Sequence, residues 1–425
     1  MQKVRLPFGK KFMNLEVDTA HVLGVLLPKS QLPRKPFTEL LTESLSNPVA
    51  SKPFREIFHR NEKTVIVLPD KTRYCAASDV LPIVVAELYQ LGISDTDIKI
   101  LIATGSHISQ KPQEIIDIVG MAMTKRLTII DHDSQRSEDL VFKGRTKFGI
   151  PVYLNRHLVE ADRIIILCSA VHHYFAGYGG GWKMINPGCA GYETITRNHA
   201  LTVDTGSNGL HPNCGSGIID GNPVQEDLLD SMRYQRVDFL IETLLNEDGE
   251  VVDMVAGDVF AAHRKACMWV DQTYRVAIQE KADLVVVSCG GFPKDINLIQ
   301  SHKSLHNAFQ AVRQGGVILL LAECRDGVGS QTFMDWFRHE DEANFVKNMK
   351  NHYSLNATTA LSLKTKTKQV KVILVSTLPS GLVSHLGMHP AEDIRAGWRL
   401  ACADLPDSFK CYILPNGSLT LPVVI

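Results

Sequence analysis

Short, unbroken runs of aliphatic and β-branched residues recur along this chain and limit what it can fold into. Residues 64–68 (TVIVL), 98–103 (IKILIA) and 163–168 (RIIILC) are the clearest. Runs without polar alternation suit strands covered on both faces, the situation of parallel sheets flanked by helices. Helical patterns lie between them. A helix is predicted from Ser78 or Asp79 as N-cap to Gly92 as stop, with Leu81, Val84, Val85 and Leu88 on one face. A second helix covers about 112–123, and a further strand 127–130.

The same alternation returns after about residue 280, with strands at 284–288, 317–321 and 370–376 and a helix at 301–313. The expected class is α/β: two domains, 1–270 and 271–425, with mostly parallel sheets flanked by helices and the active site in the interdomain cleft. Between the two sets, residues 204–222 read as a long loop that ends where Asn222-Pro223 starts a helix. A hairpin joins 239–245 to 251–255 through Glu247-Asp248-Gly249, and 258–280 reads as one long helix. The first 17 residues alternate like an edge hairpin, the basic tract 364–368 reads as a solvated loop, and no internal repeat is visible.

Composition narrows the class of partner. With 44% apolar and 21% charged residues, the 425-residue chain is neither disordered, collagen-like nor a coiled coil. Forty-five Lys and Arg offset 46 Asp and Glu, so the basic footprint of a nucleic-acid binder is missing. Apolar runs such as 317–322 fall far short of the roughly 18 residues of a membrane helix, and no secretory h-region is present. Nine cysteines, none spaced CxxC, argue against a disulfide framework or a zinc ribbon. A cytoplasmic protein with a small-molecule partner, no nucleic acid and no membrane is expected.

Open parallel sheets bind ligands at the carboxyl ends of their strands. Those ends carry Asp70-Lys71-Thr72-Arg73, then Thr104-Gly105-Ser106-His107, then His172-His173. A strand-end histidine alone is more often a loop residue held by a hydrogen bond; three such ends in succession point to a site. The densest stretch follows, from His173 through Gly177, Gly179, Gly180, Gly181 and Lys183 to Pro187-Gly188. Glycines let backbone approach a ligand and expose N–H groups to phosphate, although a flexible turn looks the same. Trp182 and Met184 flank Lys183, so this is no P-loop. A lysine here can hold phosphate or bond covalently to a carbonyl-type cofactor.

In the helix at 193–200, Glu193 and Arg197 are spaced to pair, and His199 follows Ile195 by one turn onto the inner face. An inward imidazole is either a core residue or a ligand for nickel, zinc, copper or iron. Beyond the strand end at Gly290-Gly291-Phe292-Pro293, Gln300 and Lys303 share a helix face near an N-terminus, where anions are favoured. Lys303 is either a carboxylate contact or simply exposed.

Taken together, these segments resemble the nickel-dependent lactate racemase family over nearly the whole chain. The resemblance rests on Asp70-Lys-Thr-Arg73, Thr104-Gly-Ser-His107, His173-x-x-Ala-Gly177-x-Gly-Gly-Gly-x-Lys183 with Pro187-Gly188, Glu193-Thr-Ile-x-x-Asn-His199, Gly221-Asn-Pro-Val224, and Gly290-Gly-Phe-Pro-x-Asp-Ile-Asn297 with Gln300 and Lys303. It implies a nickel-pincer nucleotide, covalently attached at Lys183 through a thioamide, with His199 as the protein ligand to nickel. It implies His107 and His173 as acid/base residues on the two faces of the substrate. Arg73, Gln300 and Lys303 are implied as substrate-binding residues, and Asp70, Thr72, Gly179, Gly180 and Gly181 as cofactor-binding ones.

The implied activity is racemisation or epimerisation of a 2-hydroxy acid by reversible hydride transfer through a 2-keto acid, with cofactor-biosynthesis proteins as partners. Ile299 stands where the resemblance places a tyrosine, which leaves the substrate's side chain open. Two other classes compete. One is a hydrolase whose His107, His173 and His199 bind zinc; the other is a nickel- or nucleotide-binding protein without turnover.

Overall fold

The computed structural model describes residues 1–29, 31–204, 206, 209–338 and 342–425. The chain forms two compact units. One comprises Gln31–Leu201 and Asn213–Asp271, the other Met1–Ser30, Thr202–Pro212 and Gln272–Ile425. A single cut near 270 therefore does not describe them, because two earlier segments belong to the second unit.

The first unit is built on a six-stranded sheet in the order Val251–Gly257, Phe239–Leu245, Arg163–Ser169, Thr64–Pro69, Ile98–Ala103, Thr128–Asp131. Only the hairpin pairing of the first two is antiparallel. Ile66 and Leu68 pack against Val80, Leu81, Val84, Val85 and Leu88 of the helix Ala77–Gln90, as the apolar stripe predicted. Ser78 lies inside that helix rather than capping it. Entry is made by Ala76 in the left-handed region (φ 54°), with no side-chain cap. The predicted helix over 112–123 is two helices, Pro112–Val119 and Met121–Thr124, broken where Gly120 takes φ 85°. Asn222 caps the helix Pro223–Ser231 by accepting from Val224 N–H at 3.1 Å. Of the predicted loop 204–222, residues 205, 207 and 208 lie outside the described residues.

The second unit has a six-stranded, all-parallel sheet in the order His389–Ala391, Lys371–Val375, Val312–Leu321, Ala282–Ser288, Cys411–Leu414, Val22–Val25. Its edge strand thus comes from the chain's beginning. The hairpin Gln2–Phe8/Lys11–Val17 lays Val4, Leu6, Leu15 and Val17 on the sheet residues Leu284, Val286, Leu319 and Ile373, which explains its alternating pattern.

Two readings are corrected here. The helix after 258 runs only over Val259–Tyr274, and Arg275–Ile278 then pairs in parallel with Leu421–Val424. The basic tract is not a loop but the end of the helix Ala357–Gln369. Its Lys366 is buried and bonds the Ser362 hydroxyl one turn back. Alternating Lys and Thr has no 3.6-residue period, so the pattern concealed a helix that neighbouring packing enforces. Among the described residues, no helix is long and apolar enough to cross a membrane.

Candidate active site

In the first unit's sheet, the strands 163–169, 64–69 and 98–103 lie side by side and parallel, so their carboxyl ends share an edge. Asp70 follows the middle one and is buried. One carboxylate oxygen accepts from the N–H (3.0 Å) and hydroxyl (2.7 Å) of Thr72, and the other from Nδ1 of His107 at 2.5 Å. Burial pushes the Asp70 carboxyl up, but the hydrogen bond and charge of His107 and the charge of Arg73 outweigh it and hold it at about 2. Arg73 reaches back to the Thr72 hydroxyl at 3.0 Å. The two loops are tied to their surroundings. Lys71 N–H donates to the Gln110 side chain (3.3 Å), and Gly105 N–H donates to the Gly188 carbonyl (2.8 Å).

The third strand end turns into a small hairpin, Val171–His173 paired with Gly177–Gly179. At its tip Ala176 N–H donates to Nδ1 of His173 at 3.2 Å. Phe175 gathers the rest of the site. Its buried ring meets His173 edge-on at 4.6 Å between centroids and His199 at 5.1 Å, and Lys183 Nζ lies 6.0 Å from its centre. His199 projects from the helix Tyr192–Ala200, where Glu193 and Arg197 pair at 2.8 Å as their spacing predicted. Neighbouring Asn198 is locked by the Val224 carbonyl (3.1 Å) and Asp227 (2.9 Å).

Burial, and next the charge of Arg73, bring the Lys183 amine down to about 7. Burial, and next the charge of Lys183, bring His199 down to about 3, so its imidazole is neutral. The structure thus brings Asp70, Thr72 and Arg73 at one strand end together with His107 at the next, and His173, Lys183 and His199 around Phe175. Gln300 and Lys303 lie in the second unit on the helix Leu298–Ala311 and bond each other, Nζ to Oε1, at 2.6 Å. Ile299 packs against that unit's core.

The Gly-rich loop has an unforeseen partner. Glu242, fully buried on the strand Phe239–Leu245, accepts from Gly181 N–H at 3.0 Å and from His263 Nδ1 at 2.9 Å. A Cβ at Gly180 (φ 94°) would strike the Glu242 carboxylate, and one at Gly181 (φ 53°) the His263 ring. These two glycines are therefore demanded by the protein's own interior. Trp182 stands edge-on to His263 at 4.5 Å and donates to the Gln225 side chain at 2.8 Å. Burial opposes charge on His263, yet Glu242 and then Cys267 raise it to about 10. A lone acid in the otherwise apolar run FLIETLL, and His263 four residues before Cys267, were the only sequence signs of this network.

Among the described residues, no group of three or more His, Cys, Asp and Glu side chains is placed to hold a metal ion, so His107, His173 and His199 form no such set.

Comparison with known proteins places the chain in a family. Residues 8–210 match the lactate racemase N-terminal domain and residues 277–423 the lactate racemase C-terminal domain. A lactate racemase of Thermoanaerobacterium thermosaccharolyticum is 28% identical over 425 residues, spanning 98% of each chain. One from Lactiplantibacillus plantarum is 29% identical over 335 residues, 78% of this chain and 77% of that one. The structure of the Thermoanaerobacterium thermosaccharolyticum lactate racemase apoprotein superposes with a TM-score of 0.90 at 26% identity, over 99% of this chain and 100% of that one. A Thermotoga maritima protein shares the fold alone, with a TM-score of 0.69 at 18% identity over 94% of this chain and all of that one. With both family domains matched in order along its length, the chain belongs to the lactate racemase family.

Proposed function

We propose that this chain, an isomerase of the racemase type by its family, interconverts the stereoisomers of a 2-hydroxy acid, lactate or a close relative, with His107 and His173 as its two proton-handling groups. The observation that carries this reading is the opposite hydrogen bonding of the two rings. The Asp70 carboxylate is ionised near neutrality and can only accept, so Nδ1 of His107 donates and its Nε2 presents a lone pair. The Ala176 N–H can only donate, so Nδ1 of His173 accepts and the neutral ring carries its proton on Nε2. In these tautomers His107 is set as the base, and His173 offers Nε2–H as a hydrogen-bond donor to the substrate oxygen; His173 releases a proton only once its ring has gained a second one.

The residues fit a nickel-pincer nucleotide. Lys183, with its amine brought near neutrality, is the covalent attachment point. His199, held neutral, offers one imidazole to the metal. When bound, this group supplies the hydride acceptor and donor. The protein supplies position and charge: Arg73 binds the substrate carboxylate, His107 takes or returns the hydroxyl proton at Nε2, and His173 does so from the other face once its own ring proton has moved from Nε2 to Nδ1. Asp70 stabilises the imidazolium that forms on His107. Gln300 and Lys303 are proposed as further substrate-binding residues. Ile299 in place of a tyrosine leaves the identity of the substrate's side chain open.

The test is production in a host that makes the cofactor, followed by intact mass, nickel content and chiral analysis of a panel of 2-hydroxy acids. A covalent adduct lost in Lys183→Ala, nickel lost in His199→Ala and interconversion of at least one acid are expected. An unmodified mass beside a loaded control racemase would overturn the reading.

A further inference from the structure

A carboxylate and an imidazole buried with no exposure at all are costly unless they pair and their remaining hydrogen-bonding sites are filled. Glu242 and His263 meet both conditions. Glu242 takes Nδ1–H of His263, the Gly181 N–H and, at 3.4 Å, the Cys168 thiol, while Nε2 of His263 lies 3.5 Å from the Cys267 sulfur. Neither side chain is exposed, and the pair meets the loop that bears Lys183 at three successive residues. It receives Gly181 through a hydrogen bond, leaves no room for a side chain at Gly180 or Gly181, and supports the Trp182 ring edge-on. Lys183 is the next residue, and its own N–H closes the turn onto the Gly180 carbonyl at 3.1 Å.

We propose that Glu242 and His263 are positioning residues for Lys183: the buried pair fixes the Gly180–Gly181 backbone and so decides where the lysine amine is presented. An amine held in a dry position loses proton affinity, whereas one released to water regains it. The proton affinity of Lys183 is therefore a readout of its placement that ordinary folding does not supply.

The proposal rests on Lys183 as the cofactor-bearing residue, but its test needs no cofactor. The full-length chain, made in a host without the cofactor, is labelled with trace acetic anhydride across a pH series, and acetylation of Lys183 is read by peptide mass spectrometry. The native midpoint is expected at about 7. In the double variant Glu242→Leu/His263→Leu, which leaves no unpaired buried charge, the midpoint should rise by about one pH unit or more toward an ordinary lysine. Glu242→Gln keeps an oxygen for the Gly181 N–H and should stay close to the native value. A cooperatively folded double variant with an unchanged midpoint would overturn the proposal, as would Glu242→Gln shifting as far as the double variant. Should the double variant not fold, hydrogen exchange of the native chain decides. The Gly181 amide should be protected like the strand Phe239–Leu245, and rapid exchange would overturn the proposal. A native midpoint near 7 without an adduct in a cofactor-making host counts against the proposed function alone.

Discussion

The Asp70 carboxylate accepts a 2.5 Å hydrogen bond from Nδ1 of His107, across two neighbouring strand ends. Asparagine at position 70 keeps the shape but permits the wrong tautomer and removes the charge behind the imidazolium. Asp70→Asn is expected to lower kcat about 10²–10³-fold, with the Lys183 adduct retained in intact mass. Full activity of this variant would remove Asp70 from proton handling.

The same pair gives a pH signature. Because the Asp70 carboxyl is held at about 2, below its unfolded value, it contributes stability above the unfolded value, and that contribution is lost as pH falls through the folded one. The contribution amounts to about 2 kcal/mol and fades between about pH 4 and pH 2. Urea unfolding of native protein and Asp70→Asn should therefore differ most above pH 5 and converge in acid.

His107→Gln and His173→Gln should each abolish racemisation while leaving the covalent adduct and nickel in place, since neither ring is the proposed attachment or metal ligand. Loss of nickel from either variant, read by elemental analysis, would contradict the division of roles.

Removing one member of the Glu242–His263 pair leaves the other charge buried and unpaired. Glu242→Ala is expected to cost about 3–5 kcal/mol in urea unfolding. A cost below about 1 kcal/mol would mean that the pair is not the closed unit its hydrogen bonds describe.

Lys366, in the second unit, offers a separate test of burial. Burial lowers its amine to about 7, so the folded chain binds fewer protons there than the unfolded chain, and stability rises with pH from about 7 to 10. Lys366→Met should raise the melting temperature at pH 6 and have a smaller effect at pH 9. An equal effect at both would place the amine in water.

Much of the site was legible because parallel sheets deliver their loops to one edge. Once 64–68, 98–103 and 163–168 read as adjacent strands, Asp70, Arg73, His107 and His173 had to lie at neighbouring ends. His199 was reachable through helical spacing from Ile195. What stayed hidden depends on contacts distant in sequence. Glu242 lies about sixty residues beyond the loop it holds, and nothing local distinguishes its strand from one carrying an ordinary polar residue. Gly180 and Gly181 read as room for a ligand, but their open backbone serves Glu242 and His263. Lys366 was misread because a lone alternation of Lys and Thr says nothing of what packs over it.

The early strand Val22–Val25 closes the edge of a sheet whose other members all come after residue 281. Along the sequence, the first unit is thus a guest inserted between segments of its host. On the ribosome, Leu6, Leu15 and Val17 emerge long before the sheet that will cover them, and the whole guest is made while they wait. The order of synthesis therefore runs against the order of completion: the guest can close on its own residues, whereas the host must hold its opening hairpin in reserve until the last strands arrive. A fragment cut at residue 270 would keep the apolar hairpin and lose its cover, so the boundary that respects this chain is the pair of crossings at 30/31 and 271/272, with the brief return at 202–212.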